Sequence, residues 1–551
     1  MYAPPVQAKD SGKTAYRLEL LAALALTILA ASLHIIRAQH AGGLWRDEAN
    51  SINLATMPAL ADVWNLSPFD SFPIAWFLVL RGWTSVAGEG NDAGLRILGV
   101  LVGVGILGAL WLNARRLLEF SVPLLSLALV GLNPEIIRSG DSMRAYGAGT
   151  LTILLACGLL WHAMRAPTPA RVALAIFGSV LAVQTLFQNA VLLLAIGVAC
   201  MIVAARRGLW RRALIVAGVG LVAALTLIPY IATARRLHQW DMIVQLPPTP
   251  ARLWMQLTEA IGSTGRSMVA IWVALAVLAI VAAVAAQARR LSPSLTDDQR
   301  DLSLFGGVAL VSGIVFYVAF LLLLKYCTRP WYYITLASFS ALAIDAALSV
   351  FMGPRAMKAA RIGVISLVTV LSVPASWRAA QVRQTNIDLI AEKLEATAAQ
   401  DDLIILNGWE IGITFDRYYR GPTPWMTIPP LDSHKLHRYD LVKVLMSAPD
   451  PMQPVFEAMT RTLRSGRRIW IVGGLPVFQP GQQPDTLPPP PLPRSGWQLP
   501  PYEVNWVGQA GFFLQNHATS AAVEHVGQRV NSYECPVLEI ANGWKQEEVR
   551  P

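Results

Sequence analysis

The sequence is poor in charge: only 15% of its 551 residues are Asp, Glu, Lys or Arg, whereas 54% are hydrophobic. A soluble chain of this length would carry about a quarter charged residues. Several apolar runs, among them LELLAALALTILAASLHII and MVAIWVALAVLAIVAAVAAQA, are long enough to cross a bilayer as helices, which takes about 20 residues. The sequence therefore predicts a polytopic α-helical membrane protein.

The chain also has few residues of the types that bind metals or form disulfides. Its eight histidines do not cluster with carboxylates as they would in a zinc site. Its four cysteines show neither metal-ligand spacing nor paired spacing: Cys157, Cys200, Cys327 and Cys535. We therefore predict no resident metal or other cofactor.

A large folded basic domain is missing as well, although the formal net charge is +10. Most of the excess lies in short basic clusters between apolar runs, which remain on the cytoplasmic side of a membrane. We therefore expect no nucleic-acid partner. The same clusters orient the chain: residues 1–16 are predicted to be cytoplasmic and residues 17–378 to form a module of about 11 transmembrane helices.

The first predicted span is followed by a long external loop at residues 38–94. Within this loop, FPIAWFLVLRGW is short for a span and contains Arg81, so we expect a helix that lies at the membrane interface. A later span is predicted near residues 120–137. An odd number of spans places the two termini on opposite sides of the membrane.

The sequence changes character near residue 379. DDLIIL and RRIWIVGG are typical of short buried strands, and NIDLIAEKLEATAA and VFEAMTRTLRS have the periodicity of amphipathic helices. Alternation of strands and helices predicts a small α/β domain over residues 379–551. The predicted topology places this domain outside the membrane, on the side opposite the N-terminus.

Basic residues lie at predicted outer helix ends, where the charge rule does not explain them: Arg46, Arg144, Lys325 and Arg329 are examples. One interpretation is that their side chains extend to lipid headgroups. The other is that they bind an anionic ligand such as a lipid-linked phosphate, because arginine holds phosphate oxygens with two parallel hydrogen bonds. The grouping of several on one face favours the second interpretation.

The segment LWRDEANSINLA places Asp47 and Glu48 side by side shortly after the first span. Asp47 could cap a short helix, and acidic residues in a first turn favour helix formation. Alternatively, Asp47 is a general base that takes the proton of an attacking hydroxyl. The residues alone do not decide between a structural and a catalytic role.

Four segments, in a defined order, favour the catalytic role of Asp47 over the structural one. LWRDEA follows the first span, DSFPIAWFLVLRGW precedes LRILGV, NPEIIRSGDSMRAYGA follows the third span, and TRPWYYI lies late in the membrane region. In this order they resemble bacterial membrane glycosyltransferases of the C superfamily (GT-C), which include protein O-mannosyltransferases and the aminoarabinose transferases that act on lipid A. The resemblance covers roughly residues 15–350. Phe72 departs from it, since a histidine or lysine is common at that position, and this leaves the identity of the sugar open.

The resemblance implies a GT-C fold and transfer of a sugar from a polyprenyl-phosphate carrier to a hydroxyl, with inversion at the anomeric carbon. Asp47 would be the general base and Glu48 would orient the base or the acceptor. Residues expected to bind the substrate or its phosphate are Arg46, Asp141, Arg144, Tyr146, Lys325, Arg329, Tyr332 and Tyr333. A divalent cation held by Asp47 and Asp141 is the less favoured arrangement.

The expected partners are the lipid-linked donor, membrane lipid, and an acceptor that is a glycan, a lipid or a protein. We expect the C-terminal domain to recognise the acceptor or to gate the site, with GWEIGITFDRYYRG facing it. The alternative function is a transporter or flippase of an anionic lipid-linked substrate. Transporters commonly contain internal repeats, and no such repeat is present in the sequence.

Overall fold

The computed structural model of the chain describes residues 7–118, 122–233, 235, 248–262, 265–288, 290, 292–324, 328–352 and 354–545. Helices dominate it, and a single small sheet lies near the C-terminus. Helices α1 to α11 are Gln7–His40, Arg46–Ala55, Leu60–Leu66, Ile74–Ala87, Asp92–Arg116, Leu124–Gly131, Pro134–Gly140, Ala145–Arg165, Pro169–Thr185, Asn189–Arg206 and Trp210–Leu225. Helices α12 to α21 are Pro250–Gly262, Arg266–Gln287, Asp297–Leu324, Ile334–Ser349, Arg355–Ala380, Ile387–Thr397, Ile411–Tyr418, Tyr439–Ser447, Gln453–Arg464 and Pro500–His517. Strands β1 to β5 are Leu403–Asn407, Trp425–Ile428, Ile469–Val472, Ala518–Glu524 and Leu538–Trp544.

Helices that could cross a membrane are abundant. In the part of the chain that the structure describes, nine are long and apolar enough: Tyr16–His40, Asp92–Arg116, Ala145–Arg165, Asn189–Arg206, Trp210–Thr233, Arg266–Gln287, Asp297–Leu324, Pro330–Ser349 and Ala356–Ala380. Helices α4 and α9 are apolar but shorter. The prediction of a mostly helical chain with several helices of membrane-spanning length and composition is therefore confirmed, and it is compatible with a multi-pass membrane protein.

The segment predicted as one span near 120–137 is divided into two short helices. Helix α6 ends at Gly131 and α7 begins at Pro134. Between them, the side chain of Asn133 accepts hydrogen bonds from the backbone N–H groups of Glu135 and Ile136. This cap and the proline at the first position start a new helix instead of continuing the old one.

The described residues form two compact units. The membrane unit contains the described parts of 1–39, 72–231 and 247–381, and the sheet unit contains the described parts of 40–71, 232–246 and 382–551. Residues 40–71, which lie in the predicted first external loop, group with the C-terminal residues. Asp47 and Glu48 are therefore part of the sheet unit.

The sheet has the strand order β2-β1-β3-β5-β4. Strands β2, β1 and β3 are mutually parallel, whereas β5 pairs antiparallel with both β3 and β4. The runs LIIL and IWIV are apolar throughout because β1 and β3 are buried on both faces. The predicted strands and helices of this region, and hence its α/β character, are confirmed.

Alternate residues of β1 and β3 enter two separate cores. Ile405 and Ile471 pack with residues of α19, α20 and α21 on one face. Ile404 and Val472 pack with residues of α17 and α18 on the other. The sheet is therefore covered by helices on both faces. Only the ends of its parallel strands are left for loops that could form a site.

Candidate active site

Helix α2 presents the acidic pair at its first turn. It begins at Arg46, and the residue before it, Trp45, has extended backbone geometry and provides no side-chain cap. Asp47 is therefore not the N-cap, although the positive end of the helix dipole favours both acids at this place. The two side chains differ in exposure: Glu48 is completely buried, whereas 19% of the Asp47 side chain remains exposed.

Two basic side chains contact the same oxygen of Asp47. Oδ1 lies 3.4 Å from Nε2 of His437 and 3.8 Å from Nε of Arg46. His437 comes from the loop before α19 and is buried. The carboxylate is thus held by one residue of its own helix turn and one residue almost 400 positions away along the chain.

The same side of α2 carries the residues that anchor it. Asn50 Oδ1 accepts a hydrogen bond from the backbone N–H of His437 at 2.9 Å, and its Nδ2 donates to the carbonyl of Phe69 at 3.2 Å. Ser51 Oγ donates to Asp70 Oδ2 at 2.5 Å. Positions 47, 50 and 51 share one helix face because they are three and four residues apart. One face of α2 therefore binds both the 437 loop and the 69–70 turn.

The chain that leads into α2 is bound by α18 and by Glu534. The backbone N–H of Leu44 donates to the Tyr418 hydroxyl at 2.5 Å, and that of Arg46 donates to Glu534 Oε1 at 3.3 Å. Thr414 on α18 donates to the same Glu534 oxygen at 3.1 Å. The start of α2 is therefore fixed by groups from the C-terminal part of the chain.

Arg46 is the counter-ion of a group of carboxylates. Burial opposes its charge, but the nearby carboxylates of Glu410, Asp47 and Glu534 raise its pKa above the ordinary value. Burial also raises the pKa of Glu534 to about 7, and burial together with the charge of Glu410 raises the pKa of Glu503 to about 7. This arrangement favours a counter-ion role for Arg46 over the predicted binding of a phosphate.

Glu410, one of the carboxylates around Arg46, lies where α/β sheets commonly bind ligands. Glu410 follows β1, whose neighbours β2 and β3 lie on opposite sides of it. The chain therefore leaves the carboxyl end of β1 at a switch point, and loops there diverge to form a crevice. Trp409, also at this end, contacts the His437 ring edge-on with centroids 6.0 Å apart.

A second cluster lies in the membrane unit and consists of an arginine on aromatic rings. The guanidinium of Arg144 is 4.5 Å from the ring centroid of Phe72. Phe72 packs edge-on against Tyr146 at 5.3 Å, and Tyr146 lies 5.6 Å from Tyr332. Stacking on aromatic faces orients a guanidinium without consuming its hydrogen-bond donors. The structure thus brings together three of the predicted residues, Arg144, Tyr146 and Tyr332.

Asp141 has a different setting from the one predicted. It is buried, and its Oδ2 lies 2.8 Å from Nδ1 of His34 on α1. A methyl group built at Gly99 would lie only 2.2 Å from the main-chain oxygen of Asp141, and one at Gly103 only 2.7 Å from its Oδ1. Asp141 therefore holds the 141–144 loop against α1 and α5.

The remaining predicted residues have separate positions. Lys325 lies outside the described residues. Arg329 is exposed. Burial raises the pKa of Glu259 on α12, and the positive charge of Arg329 partly offsets that rise. Tyr333 is buried, and its hydroxyl lies 3.0 Å from Oγ1 of Thr328, which indicates a structural role.

Within the described ranges, no group of three or more His, Cys, Asp or Glu side chains could hold a metal ion. Comparisons with protein-family models and with curated proteins find no match to this chain.

Several residues around Asp47 and Arg46 could not be identified as site residues from the sequence. His437 and Glu534 are far from Asp47 along the chain and belong to no recognisable motif. Glu410 is the exception, because it follows a predicted strand in NGWE, and the carboxyl ends of parallel strands are common ligand sites.

Glu534 makes stability depend on pH. Its pKa is about 7 in the folded chain against an ordinary 4.5, so folding favours its protonated form. The associated stability, on the order of 3 kcal/mol, is complete below pH 4.5 and is lost as pH rises through 7. Glu503 contributes in the same window with the same sign. Glu534→Gln should therefore remove about half of the fall in thermal stability between pH 4.5 and 7.5 that these two groups cause.

The control for this measurement is Glu457→Gln on the exposed face of α20. Thermal unfolding in detergent at a series of pH values should show the wild-type dependence for Glu457→Gln and a flatter one for Glu534→Gln. Identical curves for the two variants would mean that Glu534 is ionised normally in the folded chain.

Proposed function

We propose that this protein is a membrane glycosyltransferase with a GT-C fold. It would move a sugar from a polyprenyl-phosphate carrier to an acceptor hydroxyl on the periplasmic face of a bacterial inner membrane. The observation that carries the proposal is Asp47: a carboxylate that keeps part of its surface exposed, held by His437 and Arg46 at the start of an anchored helix. General bases need this combination of fixed geometry and access.

In the proposed reaction Asp47 takes the proton of the acceptor hydroxyl while the hydroxyl oxygen attacks the anomeric carbon. The bond between that carbon and the phosphate oxygen breaks in line, and the polyprenyl phosphate leaves with the electron pair. One displacement inverts the anomeric configuration. Glu48, completely buried beside the base, would support its orientation from within the unit.

The cluster of Arg144, Phe72, Tyr146 and Tyr332 would bind the carrier phosphate. A guanidinium forms paired, charge-assisted hydrogen bonds with phosphate oxygens, and such contacts stabilise the negative charge that develops on a leaving phosphate. Exposed Arg329, three residues before Tyr332, would contribute to the same function.

The proposal retains the predicted topology. Eleven spans would be reached if the short helix α9 and the region of α6 cross the membrane in addition to the nine long helices. Nine and eleven are both odd, so either count gives the termini opposite sides. The N-terminus would be cytoplasmic and the C-terminal residues periplasmic.

The test is transfer by the purified full-length protein. Radiolabelled undecaprenyl-phosphate mannose, glucose and aminoarabinose are offered in turn, with membrane extract as the acceptor source. We expect label from one donor to appear in product at a rate proportional to the amount of protein. Failure with all donors, together with protein-dependent movement of labelled lipid across vesicles, would establish the transporter alternative.

Arg144→Gln should weaken binding of the active donor by about 10- to 100-fold, because a charge-assisted hydrogen-bond pair to phosphate is lost. Arg144→Lys should have an intermediate affinity, since lysine keeps the charge but not the planar fork that stacks on Phe72. Filter binding of the labelled donor measures both.

Arg115→Gln is the matched control, because Arg115 is an exposed arginine in the last turn of α5. Its donor affinity should equal that of the wild type. Wild-type affinity in Arg144→Gln would exclude this arginine from the donor site.

A further inference from the structure

The base predicted from the sequence has a partner that the sequence did not indicate. His437 is buried, and its Nε2 lies 3.4 Å from Asp47 Oδ1, nearer than the Nε of Arg46 at 3.8 Å. Arg46 is shared among several carboxylates, since Glu410 and Glu534 also act on its charge. His437 is therefore the closer partner of Asp47.

The position of the imidazole is determined from three directions. The backbone N–H of His437 donates to Asn50 on α2, the helix that carries Asp47. Tyr439 stacks on the ring at 5.9 Å and Trp409 packs edge-on against it at 6.0 Å. Both residues of the Asp47–His437 contact are therefore held on helix α2, Asp47 as part of it and His437 through its bond to Asn50.

The buried environment also selects the form of the imidazole. Among the described residues, Nδ1 of His437 is buried without a hydrogen-bond partner. A protonated Nδ1 would be a buried, unsatisfied donor, which is more costly than an unfilled lone pair on a neutral ring. The geometry favours a hydrogen on Nε2, the ring nitrogen that lies 3.4 Å from Asp47 Oδ1.

We propose that His437 is a positioning residue for the transfer reaction: its Nε2–H holds the Asp47 carboxylate in the orientation in which it accepts the proton of the acceptor hydroxyl. This inference rests on the proposed function. His437 does not itself exchange a proton with substrate; it acts through Asp47. It is the reverse of the arrangement in which an aspartate orients a catalytic histidine.

The test compares variants that separate donation from packing. His437→Phe keeps an aromatic ring between Trp409 and Tyr439 but removes the donor, and His437→Gln replaces Nε2–H with an amide N–H. We expect His437→Phe to lower kcat by about 10- to 100-fold, as for other small displacements of a catalytic group, with the affinity for the labelled undecaprenyl-phosphate sugar unchanged. His437→Gln should recover to within about 5-fold of the wild type, because the amide N–H restores a hydrogen-bond donor toward Asp47. His525→Gln, an exposed histidine of the same unit, should match the wild type.

A double variant tests whether His437 acts through Asp47. In the Asp47→Asn background, His437→Phe should cause no further loss of kcat, because residues that act as one unit are not additive. If the two losses multiply, His437 acts on something other than Asp47 and the inference is overturned.

The remaining outcomes are also decisive. Wild-type kcat in His437→Phe overturns the inference but leaves the proposed function intact. If the Phe variant does not fold, His437→Leu takes its place in the same cycle. Absence of transfer by the wild type with every donor overturns the proposed function first and this inference with it.

Discussion

Asp47→Asn should reduce kcat by about 1,000-fold while the affinity for the labelled donor stays within about 2-fold of the wild type. The substitution nearly preserves shape and removes the carboxylate that we propose accepts the proton, and a positioned general base contributes about 10²- to 10⁴-fold to a rate. The helix should survive the change, because the anchoring bonds of α2 are made by Asn50, Ser51 and backbone groups. Single-turnover transfer and filter binding measure the two quantities separately.

Asp401→Asn is the matched control, since 66% of that side chain is exposed and it lies in the same unit. It should transfer at the wild-type rate. Asp47 would be only a helix-terminal acid if its asparagine variant also transferred normally. A loss of donor binding together with activity would instead indicate a structural defect.

Gly99→Ala should destabilise the membrane unit by about 1–3 kcal/mol and weaken donor binding. The added methyl carbon would lie 2.2 Å from the main-chain oxygen of Asp141, and a main-chain oxygen cannot rotate away as a side chain can. The displaced loop carries Met143, whose carbonyl accepts a hydrogen bond from Trp76, and then Arg144 of the aromatic cluster. Packing strain on α5 should therefore reach the proposed phosphate site.

Gly108→Ala provides a control on the same helix, because nothing lies within 4 Å of its added methyl group. It should leave stability unchanged or raise it by up to about 1 kcal/mol, since alanine favours helix over glycine. Thermal unfolding in detergent and donor binding are measured for both variants. Equal behaviour of the two would show that the Asp141 backbone does not approach α5.

The elements of the sheet unit could be predicted because their signals are local. DDLIIL and RRIWIVGG form buried strands, and their neighbours form amphipathic helices, as their periodicity requires. The long spans follow from hydropathy in the same way. The division between α6 and α7 has a local signal too, the helix start at Asn133 and Pro134, but the apolar run around it has the length and composition of one continuous span.

The surroundings of Asp47 could not be predicted, because they depend on contacts between distant parts of the chain. Residues 44–50 are bound by groups between 414 and 534, and pairing over such distances leaves no periodicity in one sequence. The two small residues Gly99 and Gly103, four apart in an apolar helix, are a known signal of close backbone approach, but this signal does not identify the loop that approaches. The stacking of Arg144 on the Phe72 ring likewise joins residues 72 positions apart, which no local pattern indicates.

The grouping of residues 40–71 with residues 382–545 has a consequence for biosynthesis. The chain makes α2 early, but the groups that fix it, Tyr418, His437 and Glu534, are made only after every candidate span. Domains fold as their residues emerge from the ribosome, so helix α2 must wait for the last third of the chain. In a chain that ends before these residues, the start of α2 would lack the hydrogen bonds with Tyr418, His437 and Glu534.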